Sequence, residues 1–378
     1  MTRATDERLT VLLASALACS ILACGGHSID LDRAGHDSSA AGASGGTNLS
    51  ELRPSLPISN FWVDDTRVYW ADLPESQLHS CVYDNCRATE ISYRVTAYSP
   101  FLTLSEQHIF FTSVFNVNAG ATTQESMLSR CSKQGCAAGA ELFVKDGATR
   151  AAADANYLYW SSTFDIYRCP LTGCAEVPET VAKGHTSEGT LVVRDSHAYW
   201  FASDYPHPDS ADPVKYLYRA PVDGSAPPTV LNPRQAAASR LDFDEPTLAV
   251  GENRVYWIQN ATQIVSCPLA GCGDSSPVTL VSSDTEKEKL WVDSAGIYWL
   301  DSAFHGISGM SVPGEIRFCP LAGCPAGEEP RALTSKTVRR FQLDSRYVYW
   351  TVPEDISVDD WFGVERAIYR ALKPTSGG

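Results

Sequence analysis

The side chains best suited to chemistry in this 378-residue chain are its 12 cysteines and a set of acidic, histidine and aromatic residues gathered in four polar stretches. Ten cysteines form five pairs with four residues between partners: Cys81 and Cys86, Cys131 and Cys136, Cys169 and Cys174, Cys267 and Cys272, Cys319 and Cys324. Two readings compete for such pairs, disulfides and zinc. A structural zinc site needs four ligands, and each pair offers two thiolates. An internal control favours disulfides. Where the same phrase recurs without cysteine, both partners are replaced together, by Ala220 and Ser225 and by Ala371 and Ser376. Each disulfide would close a short loop and contribute on the order of 2 kcal/mol.

The four polar stretches are 113–127, 201–216, 301–315 and 351–367. They hold Asp204, His207, His305, Asp359 and Trp361, the candidate ligand-binding residues. Gathered at one mouth, they would make an acidic surface with aromatic platforms, suited to a cationic group, a sugar or a divalent ion. His207 or His305 beside an Asp is also the pairing an acid–base catalyst would use. No Gly-x-Ser-x-Gly, His-Glu-x-x-His or phosphate-loop motif accompanies them. No cofactor and no metal site is expected.

What must position these residues is a repeat. An aliphatic-aromatic-aromatic triplet occurs seven times: Val68-Tyr69-Trp70, Ile109-Phe110-Phe111, Leu158-Tyr159-Trp160, Ala198-Tyr199-Trp200, Val255-Tyr256-Trp257, Ile297-Tyr298-Trp299 and Val348-Tyr349-Trp350. Alternation along a strand puts the Tyr on one face and its neighbours on the other, so both faces are apolar and the strand is buried on both. Four copies carry an Asp six residues before the last aromatic, at Asp64, Asp154, Asp293 and Asp344. An Asp there can cap a turn between two strands. After the triplet comes a third strand, as in Ile166-Tyr167-Arg168, then the cysteine loop with Pro early and Gly late, the chemistry of a hairpin. A fourth strand follows, as in Glu179–Ala182. Each unit is a four-stranded antiparallel meander.

A period of roughly 40–50 residues with four strands per unit is that of propeller blades. Residues 49–373 resemble the β-propeller superfamily, in particular propellers with a Tyr-Trp-Thr-Asp repeat; Tyr69-Trp70-Ala71-Asp72 and Tyr298-Trp299-Leu300-Asp301 carry the likeness. Those relatives commonly have six blades, whereas seven units are counted here. The expected fold class is therefore all-β, a seven-bladed β-propeller in residues 49–378. Blade seven lacks a fourth strand, and an open edge is a liability. Leu49-Ser50-Glu51-Leu52-Arg53 is expected to fill it and close the ring.

The chain begins with Arg3 and Arg8 before an apolar run, Leu9 to Ala23, too short to span a membrane and suited to a signal peptide over residues 1–23. Ile21-Leu22-Ala23-Cys24-Gly25 resembles the lipobox of bacterial lipoproteins, which implies lipidation at Cys24. Gly25 after the cysteine implies sorting to the outer membrane. Residues 24–48 are Gly, Ser, Ala and Asp with few large apolar groups and read as a tether of roughly 25–30 Å reach. The net charge of −15 argues against nucleic acid and anionic lipid as partners. Taken together, the sequence describes a monomeric, lipid-anchored module of the cell envelope that binds a protein or glycan. The alternatives are an envelope hydrolase or lyase and a structural scaffold.

Overall fold

A computed structural model describes residues 50–374 apart from 53–57, 59, 73–76, 94–101, 117–123, 137–138, 146–147, 149, 163–164, 175–176, 185–186, 205–213, 233–246, 303–313, 326–327, 335–337, 353–364 and 366. They belong to one compact unit, Thr47–Gly378. Within it the strands form seven four-stranded antiparallel sheets, each a meander, arranged as the seven blades of a ring. Blade three shows the pattern: Arg150–Ala153 innermost, then Tyr157–Ser161, Ile166–Pro170 and Glu179–Ala182 outermost.

Blade seven has strands Arg340–Leu343, Tyr347–Thr351 and Ile368–Leu372, and its outer strand is Ser50–Leu52 from the other end of the chain. The pairing is antiparallel, with Ser50 opposite Arg370 and Leu52 opposite Ile368. The closing strand inferred from the missing fourth strand is therefore present. A second latch lies beside it. Ile58 and Glu365 exchange both backbone hydrogen bonds, at 2.7 and 3.3 Å.

The triplets explain why the sheets stack face to face. Among the described residues the seven apolar clusters each join two neighbouring blades. The middle aromatic of one blade packs against the final aromatic and the following hairpin of the next; Tyr159 meets Trp200 and Val222, and Tyr199 meets Trp257. Trp70, Trp160, Trp200, Trp257 and Trp299 are fully buried. Burying a side chain of this size is worth roughly 1.5–3 kcal/mol, so each seam carries several such contributions. Within a blade the indole also stacks on the residue opposite it in the third strand, as Trp200 does on Tyr218 at 5.8 Å.

The repeated Asp makes the turn between the first two strands, as its spacing predicts. Asp154 Oδ1 accepts from the amides of Asn156 and Tyr157, both at 2.8 Å. The other oxygen does something the spacing alone does not reveal. Asp154 Oδ2 accepts from the Tyr159 hydroxyl at 2.6 Å, and Asp344 and Asp64 do the same for Tyr349 and Tyr69 at 2.6 and 2.9 Å. One carboxylate thus fixes the turn and satisfies a phenol at the blade seam.

All five cysteine pairs are disulfide-bonded, with Cα–Cα distances between 4.7 and 5.4 Å. The first cysteine of each pair lies at or near the end of the third strand; the second lies in the connection that follows rather than on the facing strand. Each bond is a staple from strand to turn. Blade one departs from the tight hairpin expected there: Tyr83–Asn85 forms a 3-10 turn and Cys86–Thr89 a single helical turn.

Candidate functional site

Antiparallel meanders place the connections of every blade on two opposite faces. The turns after the first strand and the cysteine hairpins share one, the hairpin face. The connections between second and third strands share the other, the loop face. The four long stretches leave the loop face from stems whose last paired residues are Asn116 and Gln124, Asp204 and Val214, Ser302 and Gly314, and Thr351 and Ile368. Blades two and four raise their stems furthest, with strands His108–Asn116 and His197–Asp204. Of the candidate ligand-binding residues, Asp204 ends its strand at this face. His207, His305, Asp359 and Trp361 lie outside the described residues, as does Cys24.

Beneath the loops, at blades six and seven, the structure holds buried charge that sequence reasoning did not single out. The Lys287 side chain is fully buried, its ammonium donating to Ser283 Oγ and to the Thr285 carbonyl. Asp301 lies 3.5 Å from it and 3.8 Å from Arg317, which also pairs with Glu315 at 2.9 Å. Burial lowers the pKa of Lys287, and the Asp301 carboxylate opposes that shift. Lys289 is buried as well and donates to the backbone oxygen of Arg339 in the next blade. Its φ of 52° places it at a bulge where blade four has Gly189 at 76°. Glu365 is fully buried and pairs with Arg340 at 3.1 Å. In the sequence these residues read as ordinary strand charges. The visible signal was Glu286-Lys287-Glu288-Lys289, four consecutive charges where the inner strands of other blades carry at most isolated ones. Their partners and burial make them braces of the loop stems.

A distinct cleft opens on the hairpin face between blades one and two. Its volume is about 310 Å³, and its lining includes Asp64, Arg67, Glu106, Gln107, Lys133 and Gln134. Burial alone would raise the Asp64 pKa, but Lys133 at 2.6 Å and the amides of Thr66 and Arg67 outweigh it and hold the carboxyl at about 2. Lys133 occupies the second position after the first cysteine of its hairpin. In blades three to six that position holds Leu171, Val222, Leu269 and Leu321, which pack on the middle aromatic of the preceding blade. The sequence places Lys133 in a hairpin; its reach to Asp64 depends on how blade two packs on blade one.

No protein-family model and no curated protein matches the chain. Solved structures do match, at low identity. The tricorn protease is 10% identical with a TM-score of 0.53, over 84% of this chain and 34% of that one. The β-propeller domain of the Trilobed protease from Pyrococcus furiosus is 10% identical with a TM-score of 0.50, over 79% and 91%. The WD40 β-propeller domain of Doa1 is 10% identical with a TM-score of 0.50, over 88% and 98%. The chain spans half the length of a Mycobacterium tuberculosis puromycin-hydrolyzing peptidase that it matches with a TM-score of 0.50. At these identities the likeness is one of fold, and the fold is a seven-bladed β-propeller.

Proposed function

We propose that the chain is an exported binding module, lipid-anchored to the envelope through Cys24, that presents its loop face to a protein or glycan partner. One observation carries the reading. Ser50 pairs with Arg370 and Leu52 with Ile368, so the closing strand is entered from the hairpin face. The chain therefore enters this strand on the side opposite the connections between second and third strands. In this reading an anchor upstream of Ser50 leaves the loop face to a partner. Five disulfides are compatible with export. The proposed contacts are Asp204, His207, His305, Asp359 and Trp361, of which Trp361 is of the kind that anchors interfaces.

Two measurements test this in the producing cell. Metabolic labelling with a fatty acid should mark the wild type and not Cys24→Ala, and the variant should leave the membrane fraction. Photo-crosslinking residues installed at Asn118, Ser210 and Ser308, within three of the four polar stretches, should trap a common envelope component. The same groups at Asn156, Asp223 and Asp274, on the hairpin face, should not. Adducts confined to the hairpin face would refute the assignment.

A further inference from the structure

The cleft between blades one and two has features of a site for a neutral, polyhydroxylated ligand, and we infer that it is a saccharide-binding subsite, independent of any partner on the loop face. Its frame is rigid. The Lys133 amide donates to the Gln107 carbonyl at 2.9 Å and its carbonyl accepts from the Tyr93 hydroxyl at 2.9 Å. The hairpin is also closed by the Cys131–Cys136 disulfide and a Ser132–Gly135 bridge. On the opposite wall Asp64 is fixed by Thr66, Arg67, Tyr69 and Lys133. Arg67 is held by Ser80 Oγ and the Thr89 carbonyl. A site built on fixed elements loses little freedom when a ligand arrives.

What faces the opening is different in kind. Glu106, Gln107 and Gln134 are exposed, and their side chains have no hydrogen-bond partner among the described residues. Lys133 donates one hydrogen bond, to Asp64, and lies 5.6 Å from the Tyr69 ring centroid; an ammonium has three donors. Two primary amides, a carboxylate and a partly engaged ammonium thus surround one small volume. Amides both donate and accept, which matches hydroxyl groups that do the same. Charge excludes the obvious competitors. Asp64 and Glu106 balance Arg67 and Lys133 in the lining, so the cleft carries no net charge to select a cation or an anion. Its volume lies at the low end of small-molecule sites, roughly 300–1,000 Å³, suited to one or two sugar rings.

The other seams lack this combination. Blade seven repeats the lysine: Lys373 pairs with Asp293 of blade six at 2.5 Å. Its turn there is Asp344-Ser345-Arg346 rather than a Glu-Gln pair, and the Lys373 amide donates to the Arg346 carbonyl. The inference therefore rests on Glu106, Gln107 and Gln134 together with Lys133.

Saturation-transfer NMR and calorimetry on the full chain, with maltose, cellobiose and chitobiose as probes, test it. At least one disaccharide should bind. In the double variant Glu106→Ala, Gln134→Ala, both exposed positions, its Kd should rise about tenfold or more while the unfolding midpoint stays in place. Crosslinking at the loop face should be unaffected. Failure of all three sugars to bind, or binding unchanged in the double variant, overturns the subsite and leaves the loop-face reading standing.

Discussion

Replacing Asp154 by Ala should destabilise the ring mainly through a group outside the turn that the residue builds. The side chain accepts three hydrogen bonds in blade three: two from the Asn156 and Tyr157 amides at the exposed turn and one from the Tyr159 hydroxyl at the seam. Asn156 is exposed and Tyr157 half-buried, so water can replace the carboxylate there, and the turn contribution is about 1 kcal/mol. Tyr159 is fully buried, and its hydroxyl would be left without an acceptor, which costs roughly 1–3 kcal/mol. Asp154→Ala should therefore cost about 3 kcal/mol in all. In a Tyr159→Phe background, where no hydroxyl remains, the same change should cost only the turn contribution, about 1 kcal/mol. The coupling in a double-mutant cycle is then about 2 kcal/mol. Urea unfolding of the disulfide-intact chain, followed by tryptophan fluorescence, reads all four corners. An equal loss in both backgrounds would refute the dual role of the carboxylate and leave it a turn residue alone.

Three further outcomes follow from the same geometry. Arg340→Met should cost about 3 kcal/mol or more, because Glu365 is fully buried and would lose its ion-pair partner; no change in the thermal midpoint would sink that reading. Asp64 is held at about 2 in the folded chain against about 3.8 for a free side chain. A depressed carboxyl contributes stability that is present above pH 3.8 and lost as pH falls through that value toward 2. On the order of 2 kcal/mol is involved, so Asp64→Asn should flatten this part of the acid limb, and an unchanged acid limb would count against the Lys133–Asp64 pair. Cys169→Ser with Cys174→Ser should lower stability by about 2 kcal/mol, as for a short closed loop, and the chain denatured without reductant should show no thiols at the ten paired positions.

The architecture was legible because it repeats. Seven triplets gave the number of blades, and the missing fourth strand after Ile368–Leu372 pointed back to Ser50–Leu52. Paired loss of cysteines, at Ala220 with Ser225 and at Ala371 with Ser376, carried the disulfide pattern. Other features stayed hidden because they belong to contacts between blades. Lys133 and Leu171 hold the same place in the phrase and both lie against the middle aromatic of the blade before them, yet Lys133 also reaches that blade's capping carboxylate. The second oxygen of Asp154 was invisible for the same reason: strand spacing fixes which way Tyr159 points but not what its hydroxyl meets. Buried Lys287 and Glu365 run against the usual exposure of such residues, so composition could not place them.

The core and the candidate surfaces draw on different parts of each repeat. The triplet, the capping Asp and the cysteine staple build the seams, and their positions are fixed because every blade must meet two others. The connections between second and third strands differ in length from blade to blade: blade five turns through Asn260 and Ala261, both at positive φ, while blades two and four extend their strands. Recognition built on those connections can diverge while the ring persists. The cleft beside Lys133 shows the other route, in which one seam gives up an apolar filler for a charged one. A Lys133→Leu substitution would restore the apolar residue found in blades three, five and six. It should preserve folding while abolishing saccharide binding; retained binding would assign recognition to the glutamine and glutamate arms alone.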